Sequence, residues 1–193
     1  MKSFAITVCA SGGGGNFQAL IDARDEMEFE INCLIVDRDC GAIDRAIRAG
    51  IPVRKVRRSY EALRIDLDNA IPETTNLLVF AGFLSIMPKV ICTKWEGRVI
   101  NIHPSLLPKF GGKGMYGVRV HEAVMSAREK VTGCTVHFVT GEIDGGEIIL
   151  QKSIEVDYKQ TPWQLGGRVF IEENKLLPEA IKLLRSSLKL TGS

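Results

Sequence analysis

The densest chemistry in the chain lies in Asn101-Ile102-His103-Pro104-Ser105-Leu106-Leu107-Pro108-Lys109-Phe110-Gly111-Gly112. Asn101 and His103 stand two apart, so on an extended backbone a carboxamide and an imidazole project to the same face. Such a pair can donate to an oxyanion and move a proton. The same two residues can also simply end a strand, with His103 capping backbone groups. The apolar run Arg98-Val99-Ile100 before them reads as a buried strand, and Pro104 and Pro108 after them forbid a regular helix or central strand. The chain must therefore leave its sheet here.

Two other stretches carry chemistry. Asp144, in Gly141-Glu-Ile-Asp-Gly-Gly146, is either a turn former or a carboxylate that orients an imidazole and raises its pKa. Near the start, the strand Phe4–Ala10 runs into Ser11-Gly-Gly-Gly-Gly-Asn16 and then a helix-compatible segment, Phe17–Asp25. Backbone N–H groups at such a helix start suit a phosphate, and glycine permits close approach. The loop matches neither G-x-G-x-x-G nor a P-loop, so a monophosphate fits better than a dinucleotide or triphosphate. A plain strand–helix connection is the other reading.

The elements that must position these residues follow from periodicity. Strands are expected at Phe29–Asp37, Pro52–Val56, Asn76–Gly82, Arg98–Ile102, Gly133–Thr140 and Glu147–Val156. Helices are expected at Ala42–Ala49, from Pro88 onward, at Val120–Arg128 and at Trp163–Arg185. Thr161-Pro162 caps the last of these, and Pro178 should kink or split it. This alternation predicts an α/β fold: three layers around a mostly parallel Rossmann-like sheet, partly antiparallel in its C-terminal portion. Gly111–Gly117 reads as a mobile lid. His121 is expected at the surface or at a cap, and His137 in a structural hydrogen bond. The basic run Arg54-Lys55-Val56-Arg57-Arg58 is either an exposed edge or an attractor for an anionic ligand.

Composition narrows the partners. Lysine and arginine number 25 against 23 acidic residues, a formal charge of +2, which offers no global field for nucleic acid. No apolar run is long enough to span a bilayer, and Phe4–Ala10 is too short for a secretory h-region. The five cysteines lack zinc-ligand spacing, which points to reduced thiols, a cytoplasmic location and no metal.

Taken in order, Ser11–Asn16, Ala81-Gly82-Phe83-Leu84, Asn101–Pro108 and His137–Gly146 resemble the folate-dependent formyltransferases, and among them the purine-pathway member. The resemblance covers nearly the whole chain. It implies one formyltransferase domain over 1–193, with a phosphate-binding half (1–100) and a catalytic and folate-binding half (101–193). It also implies formyl transfer from the co-substrate 10-formyltetrahydrofolate to the amine of 5-phosphoribosylglycinamide, with no metal, no nucleic acid and no membrane, and it leaves a homodimer open. It assigns catalysis to Asn101, His103 and Asp144. Gly13, Gly14, Gly15, Asn16, Pro104 and Glu173 go to the acceptor, and Leu84, Ser85, Ile86, Met87 and again Asn101 to the folate.

Two positions depart from the family. Gly15 stands where a serine or threonine is usual, which removes a hydroxyl donor, and Tyr60 stands where an arginine meets the folate, leaving Arg57 or Arg58 as substitutes. Three alternatives remain at this point: a deformylase-like hydrolase, a methionyl-tRNA formyltransferase and a catalytically silent binding module. The deformylase usually carries an extra N-terminal domain and the tRNA enzyme an extra C-terminal one. The silent module is disfavoured by the joint presence of Asn101, His103 and Asp144.

Overall fold

The computed structural model describes residues 4–190, with side chains as far as residue 187. In chain order the elements are β1 (Phe4–Ala10), α1 (Gly15–Ala23), β2 (Phe29–Val36), α2 (Gly41–Arg48), β3 (Val53–Lys55), α3 (Tyr60–Ala70), β4 (Leu77–Phe80), α4 (Lys89–Lys94), β5 (Val99–His103), α5 (Val118–Ser126), β6 (Val131–Phe138), β7 (Ile148–Glu155) and α6 (Pro162–Leu190). The strands form one sheet in the order β3-β2-β1-β4-β5-β6-β7. Pairing is parallel from β3 to β5 and antiparallel from β5 through β6 to β7. This is the expected mostly parallel sheet with an antiparallel C-terminal portion.

Both faces are covered, which is why the inner strands are apolar throughout rather than alternating. On one face Ile6, Val8, Val79 and Ile100 pack under Phe17 and Leu20 of α1 and under Val169, Leu177 and Ile181 of α6. On the other, Cys9, Ile35, Leu78 and Val99 pack under Leu63 and Leu67 of α3 and Ile91 of α4. Strand order reverses between β1 and β4, and in open α/β sheets ligands settle at the carboxyl edge of such a switch. There the Ser11 N–H donates to the Gly82 carbonyl at 3.0 Å, joining the two loops.

Two elements differ from the sequence reading. Helix α3 had no counterpart in it, although Leu63, Leu67 and Ala70 follow helical spacing and are buried. Pro178 does not split α6, which is continuous from Pro162. Leu176, Leu177, Ala180 and Ile181 on either side of Pro178 are buried against the sheet, and that packing holds the helix through the missing hydrogen bond. The start of α6 is as expected: Gln164 N–H donates to Thr161 Oγ1 at 3.3 Å, and Thr161 N–H to Gln164 Oε1 at 2.9 Å, a reciprocal cap.

Strand β5 carries the site, and Ile100 within it is fully buried. Ile100→Ala is expected to cost about 2–5 kcal/mol in urea unfolding, through lost burial and an unfilled cavity. A cost below about 1 kcal/mol would show that this face of β5 repacks freely.

Candidate active site

Because β5 ends in Pro104, its last residues sit at the carboxyl edge of the sheet, and antiparallel β6 sets His137 opposite Asn101 and Thr135 opposite His103. His137 Nδ1–H donates to the Phe138 carbonyl at 2.8 Å, which leaves Nε2 as an acceptor. Asn101 Nδ2 donates to that nitrogen at 3.1 Å. One amide hydrogen of Asn101 is thereby anchored and its second is left for a ligand. His137 thus belongs to the site through a structural bond. The signal for it in the sequence was the alternation that puts it on the face of Thr135.

Asp144 occupies a turn with φ 53° and has a side chain 12% exposed. Its Oδ2 accepts from the Gly112 N–H at 2.8 Å and lies 3.5 Å from His103 Nδ1, while Oδ1 lies 3.6 Å from His137 Nε2. Burial pushes this carboxyl up, but the neighbouring His103 and the Gly112 amide hold the group below the usual carboxylate range.

His103 Nε2 donates to the Phe110 carbonyl at 2.8 Å, so both ring nitrogens face acceptors. The net pKa of His103 is nevertheless lowered, which corrects the simple expectation of a raised value. Burial is the largest influence, and Asp144 and Phe110 only partly oppose it.

These groups open into a cavity of about 660 Å³. The loop after β4 forms one wall, with Leu84, Ser85 and Ile86 presented and Met87 buried behind them. That loop is held from below by an aspartate the sequence reading had placed only as a strand end. Asp37, whose side chain is fully buried, accepts from Ser85 Oγ at 2.6 Å and from Arg38 Nε at 3.0 Å, with Arg58 Nε at 3.6 Å. Burial pushes the Asp37 carboxyl up, but the bonds from Arg38, Ser85 and Ser11 bring it below its ordinary value. Leu84 N–H donates to Ser11 Oγ at 2.8 Å, tying the same loop to the end of β1.

Tyr60, at the arginine position, accepts from the Lys89 N–H at 3.2 Å. Arg57 is committed to Asp66, with side-chain bonds of 2.9 and 2.7 Å, and holds that carboxyl at about 2. Arg58 remains half-exposed beside Asp37.

Asn16 and Glu173 also line the cavity, joined by a 2.8 Å bond from Asn16 Nδ2 to Glu173 Oε2. Asn16 Oδ1 is buried without a partner. Pro104 lines the cavity beside His103, whereas Gly13, Gly14 and Gly15 lie off it. Gly13 is instead turned outward, its carbonyl accepting from Arg45 Nε at 2.8 Å.

His121 is not at the surface. It is 5% exposed and lines the cavity, because Gly166 leaves room: a β-carbon there would sit 2.7 Å from His121 Cδ2. Burial lowers its pKa, and the charge of His103 adds to this. Among the described residues no cluster of three or more metal-ligating side chains occurs, and no helix is long and apolar enough to cross a membrane.

Residues 4–181 match the formyl transferase family. The chain belongs to that family. This formyl transferase is 39% identical over 199 residues to the trifunctional purine biosynthetic protein adenosine-3 of Bos taurus, covering 99% of the chain and 19% of the relative. It is 34% identical to the chloroplastic phosphoribosylglycinamide formyltransferase of Arabidopsis thaliana, covering 91% of the chain and 63% of that relative. It thus spans about a fifth of the bovine protein's length and under two thirds of the plant protein's. The crystal structure of phosphoribosylglycinamide formyltransferase from Anaplasma phagocytophilum superposes with a TM-score of 0.88 at 32% identity, over 96% of this chain and 89% of that one.

Two outcomes test the electrostatics. Asp144→Asn removes the influence that raises His103, so the histidine should titrate lower still by NMR; an unchanged titration would disprove the coupling. Glu173 is 7% exposed and its pKa is raised by burial, against the Asn16 bond. A raised carboxyl pKa means the folded state holds the proton more tightly than the unfolded chain. Its contribution to stability is therefore full below the ordinary glutamate value and is lost as pH rises through the folded value. Urea midpoints followed from about pH 4 to pH 8 should show that component of the decline in the parent and lose it in Glu173→Gln. Parallel profiles would mean that Glu173 is solvated.

Proposed function

We propose that the chain transfers the formyl group of 10-formyltetrahydrofolate to the amine of 5-phosphoribosylglycinamide, a step of purine biosynthesis. The observation that carries the reading is the meeting of Asn101, His103 and Asp144 in the wall of one cavity. The same cavity is lined by the apolar, amide-bearing loop 84–87 and by the polar pair Asn16–Glu173. Its size and its mix of apolar wall with few polar groups fit a small-molecule site. The folate supplies the formyl carbon; Leu84, Ile86 and Met87 form the slot for its flat ring, and Ser85 steadies that loop through Asp37. The loop Gly13–Asn16 takes the acceptor's phosphate from the outer side of α1's first turn, with Glu173 inside.

During transfer the amine nitrogen bonds to the formyl carbon, the bond to the folate nitrogen breaks, the amine loses a proton and the folate nitrogen gains one. Negative charge develops on the formyl oxygen, where the unanchored amide hydrogen of Asn101 donates to it. His103 Nδ1 takes up the proton the amine loses, the imidazolium so formed pairs with Asp144 and stabilises that charge, and the same proton passes to the leaving nitrogen. Asp144 keeps the ring oriented and its charge paired. We assign the protein to the cytoplasm, a reading supported by five unpaired cysteines.

The test is turnover of purified protein with 10-formyltetrahydrofolate, with and without phosphoribosylglycinamide. Tetrahydrofolate should form only with the acceptor present; equal release in water would make the protein a deformylase, and none in either case a binding module. His103→Ala and Asn101→Ala should each lower the rate by about two or more powers of ten. Near-parent turnover in folded His103→Ala would remove it from the mechanism.

A further inference from the structure

Between the cavity and the glycine loop stands a side chain that the sequence reading did not single out. Phe170 of α6 is 38% exposed, lines the cavity, and sets its ring tip against Gly15, the first residue of α1. A β-carbon at Gly15 would overlap Phe170 Cζ and lie 3.1 Å from both Cε1 and Cε2. The ring therefore fills the volume that any other residue at position 15 would need. The missing hydroxyl of the family is thus not an empty place in this chain. It has been exchanged for an aromatic wall.

That wall has polar neighbours. Glu173 lies three residues on along α6, which puts it on the same helix face, and Asn16 follows Gly15 directly. Asn16 Oδ1 is buried without a partner, and Glu173 spends one carboxylate oxygen, Oε2, on Asn16. This part of the cavity thus offers an apolar ring beside the unpartnered Asn16 Oδ1 and the Glu173 carboxyl. A sugar ring meets both demands, with C–H groups for the aromatic surface and hydroxyls for the acceptors. We propose that Phe170 is the platform for the acceptor's sugar and that Gly15 is glycine to admit it, the two forming one specificity-determining unit. This rests on the acceptor reading given above.

The experiment is a double-mutant cycle on Gly15→Ser, Phe170→Ala and the pair, with KM for each substrate, kcat, urea midpoints, and calorimetric binding of ribose 5-phosphate. Each single change should raise the acceptor KM by about tenfold and leave the donor KM within about twofold, with weaker ribose 5-phosphate binding. The pair should be no worse than Phe170→Ala alone, because the serine harms only by displacing the ring. Additive losses, an unchanged acceptor KM in Phe170→Ala, or a loss falling equally on the donor would overturn the proposal. If Gly15→Ser does not fold, its recovery in the pair supports the interlock, and failure of the pair as well opposes it. If the parent shows no acceptor-dependent turnover, the functional reading fails, while the calorimetric comparison still decides the sugar platform.

Discussion

A buried carboxylate needs partners, and that need at Asp144 ties the active end of this protein together. The group reaches the Gly112 amide in the loop after β5, His103 at the end of β5 and His137 on β6. None of these three is near Asp144 in sequence except through the β6 hairpin. Holding the charge in a site that burial disfavours draws on the Gly112 N–H and on His103, so one carboxylate fixes the loop, the imidazole and the turn relative to one another. His103 shows the counterpart: both its nitrogens meet acceptors, while burial opposes the very charge that would satisfy them. Burial and the two acceptors thus pull His103 in opposite directions, and burial prevails.

Asp37 does the same work at the other wall. It is fully buried, and Arg38, Ser85, Ser11 and Arg58 together offset the cost of that burial. Its bonds, together with that of Ser11 to the Leu84 amide, lock the loop carrying Leu84–Met87 to the ends of β1 and β2. The exposed apolar residues of that loop gain a defined position from polar groups beneath them, an arrangement in which a hidden layer orients the cavity wall.

The part of the cavity lined by Asn16, Phe170 and Glu173 is built differently, by fit rather than charge. Gly15 and Gly166 each yield space to a ring, Phe170 in one case and His121 in the other. Both contacts bring α6 to the cavity, so the long helix is at once the cover of the sheet and a wall of the site. Its burial against the sheet and α1 is what carries Pro178 without a break.

Much of this was already determined by the sequence. Apolar strands alternating with helical stretches dictate the sheet, Pro104 dictates that β5 ends where Asn101 and His103 stand, and the spacing of those two dictates a shared face, because each is a local rule of backbone geometry. Helix α3 was legible too, in Leu63, Leu67 and Ala70, but its spacing was overshadowed by charged neighbours. What only the tertiary structure decided are contacts between distant residues: His137 opposite Asn101, Asp37 beneath Ser85, His121 against Gly166 and Phe170 on Gly15. No local period encodes these pairings. Each depends on strand register and on how closely one helix approaches another, and the sign of the His103 shift depends on how deeply the finished fold buries it.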